Sequence, residues 1–148
     1  MQQKPFDDFK VGEIFKSYGR TITDADLQAF TCFAGLKLPI FIDEEFAKKH
    51  TTYGGRIAPG FMTASIAAGM MEDVLGPYTL AALTLDNFKF KTPLRPGDTM
   101  HCEIEVVAKK DTSDGKRGVL TSTTRVRNQR ADTVLEFSGS FLMRKDRF

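Results

Sequence analysis

Apolar side chains follow a helical period in the first half of the chain and a strand period in much of the second half. After Thr23 they recur at helical spacing from Leu27 to Ala34, which predicts a first helix. Asp26 stands three residues after Thr23, so this pair is placed to form a capping box at the start of the helix. Asp43 precedes a segment with acids at its start and bases at its end, which predicts a short helix over residues 44–49.

The segment from Pro59 to about Leu75 is apolar on nearly every side of a helix. A helix without a polar face requires burial on all sides, so we expect it at the centre of the fold and Ala68 in the core. Gly76 and Pro77 end it. The pattern therefore predicts one central helix.

The residues after this helix predict long antiparallel strands, because apolar and polar positions alternate there. We expect strands over residues 80–91, 100–109, 120–126 and 135–143, after a first strand over residues 14–20. The alternation changes phase near Asp86 and Asn87, which indicates a β-bulge. One apolar helix with a run of antiparallel strands predicts an α+β hot-dog fold, a curved sheet wrapped around a helix. Since neither a repeat nor a linker interrupts residues 1–148, we expect a single domain.

The composition is that of an ordinary soluble globular chain, with 148 residues, 41% hydrophobic and 27% charged. A net charge of +2 gives no reason to expect nucleic acid or an anionic membrane as partner. The longest apolar stretch, Phe61–Met71, is too short to cross a bilayer. The polar residues Met1–Phe9 lack the apolar region of a signal peptide, so we expect a cytoplasmic protein. Cys32 and Cys102 are expected to be reduced thiols, with Cys32 in the core.

Three stretches of the chain resemble the MaoC-like (R)-specific enoyl-CoA hydratases and dehydratases. Residues 6–13 and 20–30 are similar to the opening and the first helix of that family. Residues 88–99, which read F-K-F-K-T-P-L-R-P-G-D-T, are similar to the family's F-x-x-P-x-x-P-G-D-T signature. The resemblance runs from about Phe6 to Met143. It implies a hot-dog lyase of fatty acid metabolism that binds an acyl-CoA or acyl-carrier-protein thioester.

The family's functional motif, roughly S-G-D-x-N-P-x-H-x-D, corresponds without a gap to Ala34–Asp43. Three residues hold this register: Gly35, Pro39 and Asp43. The resemblance places the catalytic Asp position at Leu36, the Asn position at Leu38 and the catalytic His position at Phe41. Hydration of an enoyl thioester needs a base for the water and an acid for Cα. Leu and Phe can supply neither, so the resemblance implies binding without the usual catalytic pair.

The resemblance also implies a substrate site lined by Gly60 and Phe61 together with the apolar replacements Leu36, Leu38 and Phe41. Gly60 starts the central helix, where free N–H groups can hydrogen-bond a thioester carbonyl; alternatively it is a glycine required for close packing.

The sequence allows two interpretations of the role of each of three further residues. Tyr53 and Arg56 either reach the mouth of the pocket or are solvated loop residues. Asp43 either replaces the missing acid–base group or caps its helix.

Four hypotheses follow. The leading one is an acyl-thioester-binding protein that lacks the hydratase pair. The others are an active lyase that uses Asp43, Tyr53 or another group, a thioesterase that uses Asp43, and a non-catalytic subunit beside a hot-dog partner chain with the intact pair. Hot-dog domains commonly pair through their sheets, so we expect a homodimer or a higher oligomer.

Charged and metal-ligating residues change this picture little. Lys89, Lys91 and Arg95 either meet the phosphates of the carrier arm or lie on a solvated strand edge. His50 and His101 lack metal-ligand spacing, so we expect neither a metal nor another cofactor.

Overall fold

The computed structural model describes residues 3–148. Within this part of the chain the helices have the following bounds: Asp24–Ala34 (α1), Pro39–Ile42 (α2), Glu44–His50 (α3) and Gly60–Leu75 (α4). The strands have these bounds: Ile14–Lys16 (β1), Arg20–Thr21 (β2), Thr79–Phe90 (β3), Thr99–Asp111 (β4), Arg117–Arg127 (β5) and Thr133–Arg144 (β6). The 3-10 turns Phe6–Asp8 and Gly76–Tyr78 complete the described elements.

The strands form one antiparallel sheet in the order β1-β4-β5-β6-β3, and β2 also pairs with β4. The long hairpins β4–β5 and β5–β6 build its centre, whereas β3 lies at one edge and pairs only with β6. The predicted bulge is present, because the register of β3 shifts between Asp86 and Lys89 and Asn87 has a φ of 55°. The α+β hot-dog architecture expected from the sequence is confirmed.

The core lies between one face of α4 and the inner face of the sheet. Met62, Ala67 and Met71 of α4 are buried, and alternate residues of β4 such as Met100 and Ile104 are buried opposite them. The strands expose polar residues at the intervening positions of β4, β5 and β6, as expected for a sheet with one solvated face. The fold therefore depends on burial of α4 against the sheet.

The expectation that α4 is buried on every side is wrong. Phe61 is 68% exposed, and Ser65, Ala68 and Gly69 are exposed along the same side of the helix. The helix contacts its own sheet through one face only, and no described segment covers the other. The apolar residues of α4 therefore form two packing surfaces. One packs against the sheet, and none of the described residues of the single chain covers the other.

The ends of the helices follow the predicted capping. The Thr23 hydroxyl accepts a hydrogen bond from the Asp26 N–H at 3.0 Å, and the Asp26 carboxylate accepts one from the Thr23 N–H at 2.9 Å. Asp43 accepts a hydrogen bond from the Phe46 N–H at 2.8 Å, which caps α3. Gly35 ends α1 in the left-handed conformation with a φ of 69°. These local signals were sufficient to place α1 and α3.

The predicted first strand over residues 14–20 is divided into β1 and β2. Both pair with β4, but Ser17 interrupts the ladder between them, since its hydroxyl accepts a hydrogen bond from the Cys102 N–H at 2.8 Å. This side chain takes the place of a backbone partner, so the strand breaks there. No helix within residues 3–148 is long and apolar enough to span a bilayer.

Candidate functional site

A cavity of about 410 Å³ lies at the start of α4. Its walls come from α2, from the loop that precedes α4, from the first turn of α4 and from the segment Phe90–Leu94. Val134 and Leu135 of β6 complete the lining. A concave site of this size with mostly apolar walls has the usual properties of a small-molecule site.

Four of the predicted site residues line this cavity: Phe41, Tyr53, Gly60 and Phe61. Leu36 and Leu38 lie outside its lining. Leu36 is half-buried just after the left-handed Gly35, and its N–H donates to the Thr31 carbonyl at 3.0 Å. Leu38 precedes α2 and is 58% exposed. The structure thus brings Phe41 to the cavity but does not bring Leu36 there.

Gly60 fits beneath an aromatic ring. A Cβ atom built on Gly60 would lie 2.5 Å from Cε1 of Phe90, closer than side-chain atoms approach one another. The Phe90 ring in turn makes an edge contact with Phe61 and stacks on Phe88, with centroid distances of 6.2 and 6.1 Å. Gly60 is therefore needed for close packing against Phe90, as one of its two interpretations expected. This packing brings the N-terminus of α4 to the cavity wall.

The first turn of α4 retains free backbone donors. The Pro59 carbonyl accepts hydrogen bonds from the N–H groups of Met62 and Thr63 at 3.0 and 3.2 Å. Gly60 and Phe61 have no acceptor within the helix, as is general for first-turn residues. Because the N–H groups of this turn carry the positive end of the helix dipole, they favour an electron-rich oxygen in the cavity.

Arg56 belongs to an ionic network rather than to the cavity lining. Its Nε lies 2.7 Å from the Glu44 carboxylate and its Nη2 2.6 Å from Asp24. The hydrogen bond from Arg56 holds the pKa of Glu44 below its ordinary value, and the same bond raises the pKa of Arg56. Arg56 therefore connects α1, α3 and the loop before α4, and supports the cavity wall from outside.

Asp43 acts as a cap for α3 and is exposed. It is absent from the described residues that line the cavity. Its carboxylate already accepts the Phe46 N–H. The prediction that Asp43 caps α3 is thus confirmed.

Few polar side chains line the cavity. Among the described lining residues there is no carboxylate, imidazole or thiol. The polar side chains present are those of Tyr53, Thr63, Lys91 and Thr92. Thr63 was not singled out from the sequence, although a hydroxyl one turn after a helix start was the available signal. Such a lining suits an apolar ligand and offers it a few hydrogen bonds, whereas its described residues include no carboxylate–imidazole pair.

The other basic candidates differ in position. Lys91 lines the cavity, and Lys89 is exposed on β3. Arg95 packs against the loop glycines, since a Cβ atom on Gly54 would lie 3.1 Å from its Nη1. The Nε of Arg95 is buried without a partner among the described residues. Only Lys91 therefore contributes directly to the cavity wall.

The remaining titratable candidates lie elsewhere. His50 packs against Phe46 at a centroid distance of 4.8 Å, and Nε2 of His101 lies 3.7 Å from Glu103. Cys102 is buried, which raises its pKa to about 12. Cys32 is exposed, so its expected place in the core is wrong, because α1 turns that side outward. Residues 3–148 contain no group of three or more His, Cys, Asp or Glu residues arranged to hold a metal ion.

The curved sheet around α4 defines a hot-dog protein, and the cavity beside its first turn is its candidate functional site. A solved structure from Mycobacterium tuberculosis, described as a double hot-dog fold, shares this fold with a TM-score of 0.87 at 21% identity, and the match covers 97% of this chain and 45% of that one.

The family is shown by the sequence as well. Residues 8–128 match the MaoC-like domain, so the chain belongs to this family. It is 34% identical over 107 residues to the (R)-specific enoyl-CoA hydratase of Rhodospirillum rubrum, a match that covers 68% of each protein. The monoamine oxidase regulatory protein of Archaeoglobus fulgidus superimposes with a TM-score of 0.87 and 34% identity, over 99% of this chain and 98% of that one. Three further relatives are longer, and the chain spans 33%, 40% and 41% of their lengths.

Proposed function

We propose that this chain binds an acyl thioester of coenzyme A or of acyl carrier protein in the cavity at the start of α4, and that alone it does not hydrate this ligand. The observation that carries the proposal is the lining of the cavity. It combines apolar walls and a helix N-terminus with the absence of carboxylate and imidazole groups among the described lining residues. Apolar walls suit an acyl chain, and a few polar groups fix its orientation.

The thioester carbonyl is assigned to the first turn of α4. The N–H of Gly60 is available there, and Phe90 leaves no room for a side chain at this position. A carbonyl oxygen placed against these donors becomes more polarised, which favours thioester binding over binding of a plain hydrocarbon. Phe61 and Phe41 then line the path of the acyl chain.

The absence of hydration follows from the motif of residues 34–43. Where the family has its catalytic Asp and His, this chain has Leu36 and Phe41. An acid–base pair contributes a large factor to hydration because water must lose one proton and Cα must gain one. Asp43 does not replace this pair in the proposal, since it caps α3 and lies outside the cavity lining. Lyase and thioesterase activities that depend on Asp43 are therefore disfavoured.

A second hot-dog chain is the proposed partner, and it binds along β3. This strand is 12 residues long, lies at the sheet edge and exposes Leu80, Leu83 and Leu85 to about half of their full extent. Long apolar edge strands are prone to pair with another chain. The exposed face of α4 borders the same side, because Leu85 and Ala68 line one common pocket. We assign this surface to a second copy of the chain; a partner with the intact Asp and His is the alternative, and would make this chain a non-catalytic subunit.

Isothermal titration with crotonyl-CoA tests the binding proposal. Phe41→Gln places an amide on the apolar wall and should weaken binding by about tenfold or more, since burial of an aromatic side chain by ligand is lost. Phe33→Gln is the matched control, because Phe33 is 92% exposed and lies outside the cavity lining. Absence of binding by the wild-type chain, or equal binding by both variants, contradicts the proposed site.

A further inference from the structure

Thr63 lies on the same side of α4 as Gly60. The two residues are three positions apart, so they are neighbours on the helix surface. Side chains in a helix tilt towards its N-terminus, which directs Thr63 towards the turn that contains Gly60. Both residues line the cavity.

The hydroxyl of Thr63 is unusual among the helical hydroxyls of this chain. Thr31 and Ser65 donate to carbonyls one turn earlier, at 2.8 and 2.7 Å, as is common for such residues. The backbone N–H of Thr63 bonds to the Pro59 carbonyl. Its hydroxyl has no hydrogen-bond partner among residues 3–148.

Thr63 is also buried at the wall of the cavity. Thr63 is 3% exposed, so almost all of its surface is buried. Its oxygen is nevertheless not one of the unpartnered side-chain atoms that are sealed from solvent, which are Arg95 Nε, His101 Nε2, Ser122 Oγ and Arg144 Nε. The part of Thr63 that is not packed against other residues borders the cavity, since Thr63 is one of its lining residues. Buried polar groups normally have partners, so an unpartnered hydroxyl in a cavity points to a ligand.

We propose that the Thr63 hydroxyl is a second hydrogen-bond donor to the thioester carbonyl, beside the N–H of Gly60, and that it orients the acyl thioester at the start of α4. This inference rests on the proposed function. A carbonyl oxygen has two lone pairs and accepts two such bonds. Thr63 is then a substrate-binding residue that recognises the thioester group, whereas the apolar walls recognise the acyl chain.

The test compares two ligands and two variants by isothermal titration. The ligands are butyryl-CoA and its S-butyl thioether analogue, which has the same carrier and nearly the same chain but lacks the carbonyl. Thr63→Val keeps the shape and removes the donor, and it should weaken butyryl-CoA binding by about 3- to 10-fold, the effect of one neutral hydrogen bond. Thr63→Ser retains the hydroxyl and should bind butyryl-CoA within about twofold of the wild type. Neither variant should change the affinity for the thioether.

The outcomes separate this inference from the proposed function. If Thr63→Val weakens both ligands equally, Thr63 has a packing role and the inference is wrong. If butyryl-CoA binds to Thr63→Val as tightly as to the wild-type chain, the inference about Thr63 is wrong, whereas the proposed acyl-thioester site is unaffected. A wild-type chain that binds the two ligands equally overturns the carbonyl contact whether or not the variants fold. A wild-type chain that binds neither ligand overturns the proposed function itself.

Discussion

At Gly60 the packing of a single residue determines the shape of the site. The Phe90 ring occupies the space that a side chain at Gly60 would need, with Cε1 at 2.5 Å from an added Cβ atom. The same ring contacts Phe61 across the cavity wall. A larger residue at position 60 must therefore displace the wall or shift the helix N-terminus.

Gly60→Ala should destabilise the fold by about 1–3 kcal/mol, the usual cost of overpacking, and should weaken crotonyl-CoA binding. Chemical denaturation gives the first quantity and calorimetric titration the second. Phe90→Leu in the same chain should recover part of the lost stability, because the smaller side chain makes room for the methyl group. If Gly60→Ala has the same free energy of unfolding and the same affinity as the wild type, the close contact with Phe90 does not exist in solution.

The sequence predicted the site residues unevenly. Gly60, Phe61, Phe41 and Tyr53 line the cavity because they lie on or beside the start of α4. The contribution of β6 and of the segment Phe90–Leu94 could not be predicted from the motif, since it depends on how distant strands pack. The roles of Leu36 and Leu38 in binding stay predictions, as do those of Tyr53 and Arg56.

At the scale of elements, an ionic network fixes the segment that forms one wall of the cavity. Arg56 bonds to Glu44 at the start of α3 and to Asp24 at the start of α1. The bond lowers the pKa of Glu44 below its ordinary value of 4.5. A folded-state pKa below the unfolded one means that the bond stabilises the fold at neutral pH. This contribution is lost as the pH falls through the folded-state pKa of Glu44.

Arg56→Met should lower the Tm at neutral pH by about 2–4 °C, which corresponds to about 1 kcal/mol for partly exposed ion pairs in a chain of this size. The difference from wild type should shrink as the pH is lowered below 4.5, the ordinary pKa of Glu44. Arg130→Met is the control, because Arg130 pairs with Asp98 and Asp132 at an exposed turn far from this wall in sequence. A difference for Arg56→Met that is unchanged at about pH 3 would refute the electrostatic origin.

Local sequence signals predicted most of the elements. The capping residues Thr23 and Asp43 placed α1 and α3, and the change of phase near Asn87 placed the bulge in β3. The one-turn helix α2 was missed, since four residues give no periodicity. The break at Ser17 was missed as well, because it depends on a bond to Cys102 in another strand.

At the scale of the whole molecule, the single chain leaves an apolar surface uncovered. The surface consists of the edge strand β3 and the outer face of α4, where Phe61 is 68% exposed and Leu83 51%. Burial of apolar area drives association, so a partner should cover this surface. An apolar helix pattern cannot show whether the faces of the helix pack within one chain or between two chains. For this reason Ala68 was wrongly expected in the core of the single chain.

The surface predicts a dimer that forms through β3. Sedimentation equilibrium at micromolar concentration should show the wild-type chain as at least a dimer and the Leu83→Lys variant as a monomer, because a lysine on an edge strand opposes pairing. Val107→Lys should remain dimeric, since Val107 is a similarly exposed apolar strand residue on β4, which two strands separate from β3. A wild-type monomer would refute this assembly.

The central claim, that the chain binds a thioester without the hydratase pair, is tested most directly by the rate of crotonyl-CoA hydration. The purified chain alone is followed by the loss of enoyl-thioester absorbance at saturating substrate. Since the resemblance places Leu36 and Phe41 at the catalytic positions, the rate should lie at least about 10²–10⁴-fold below that of an ordinary (R)-specific hydratase and close to the uncatalysed background. A rate within about tenfold of such a hydratase would contradict the claim, because another residue would then have to supply the acid and the base.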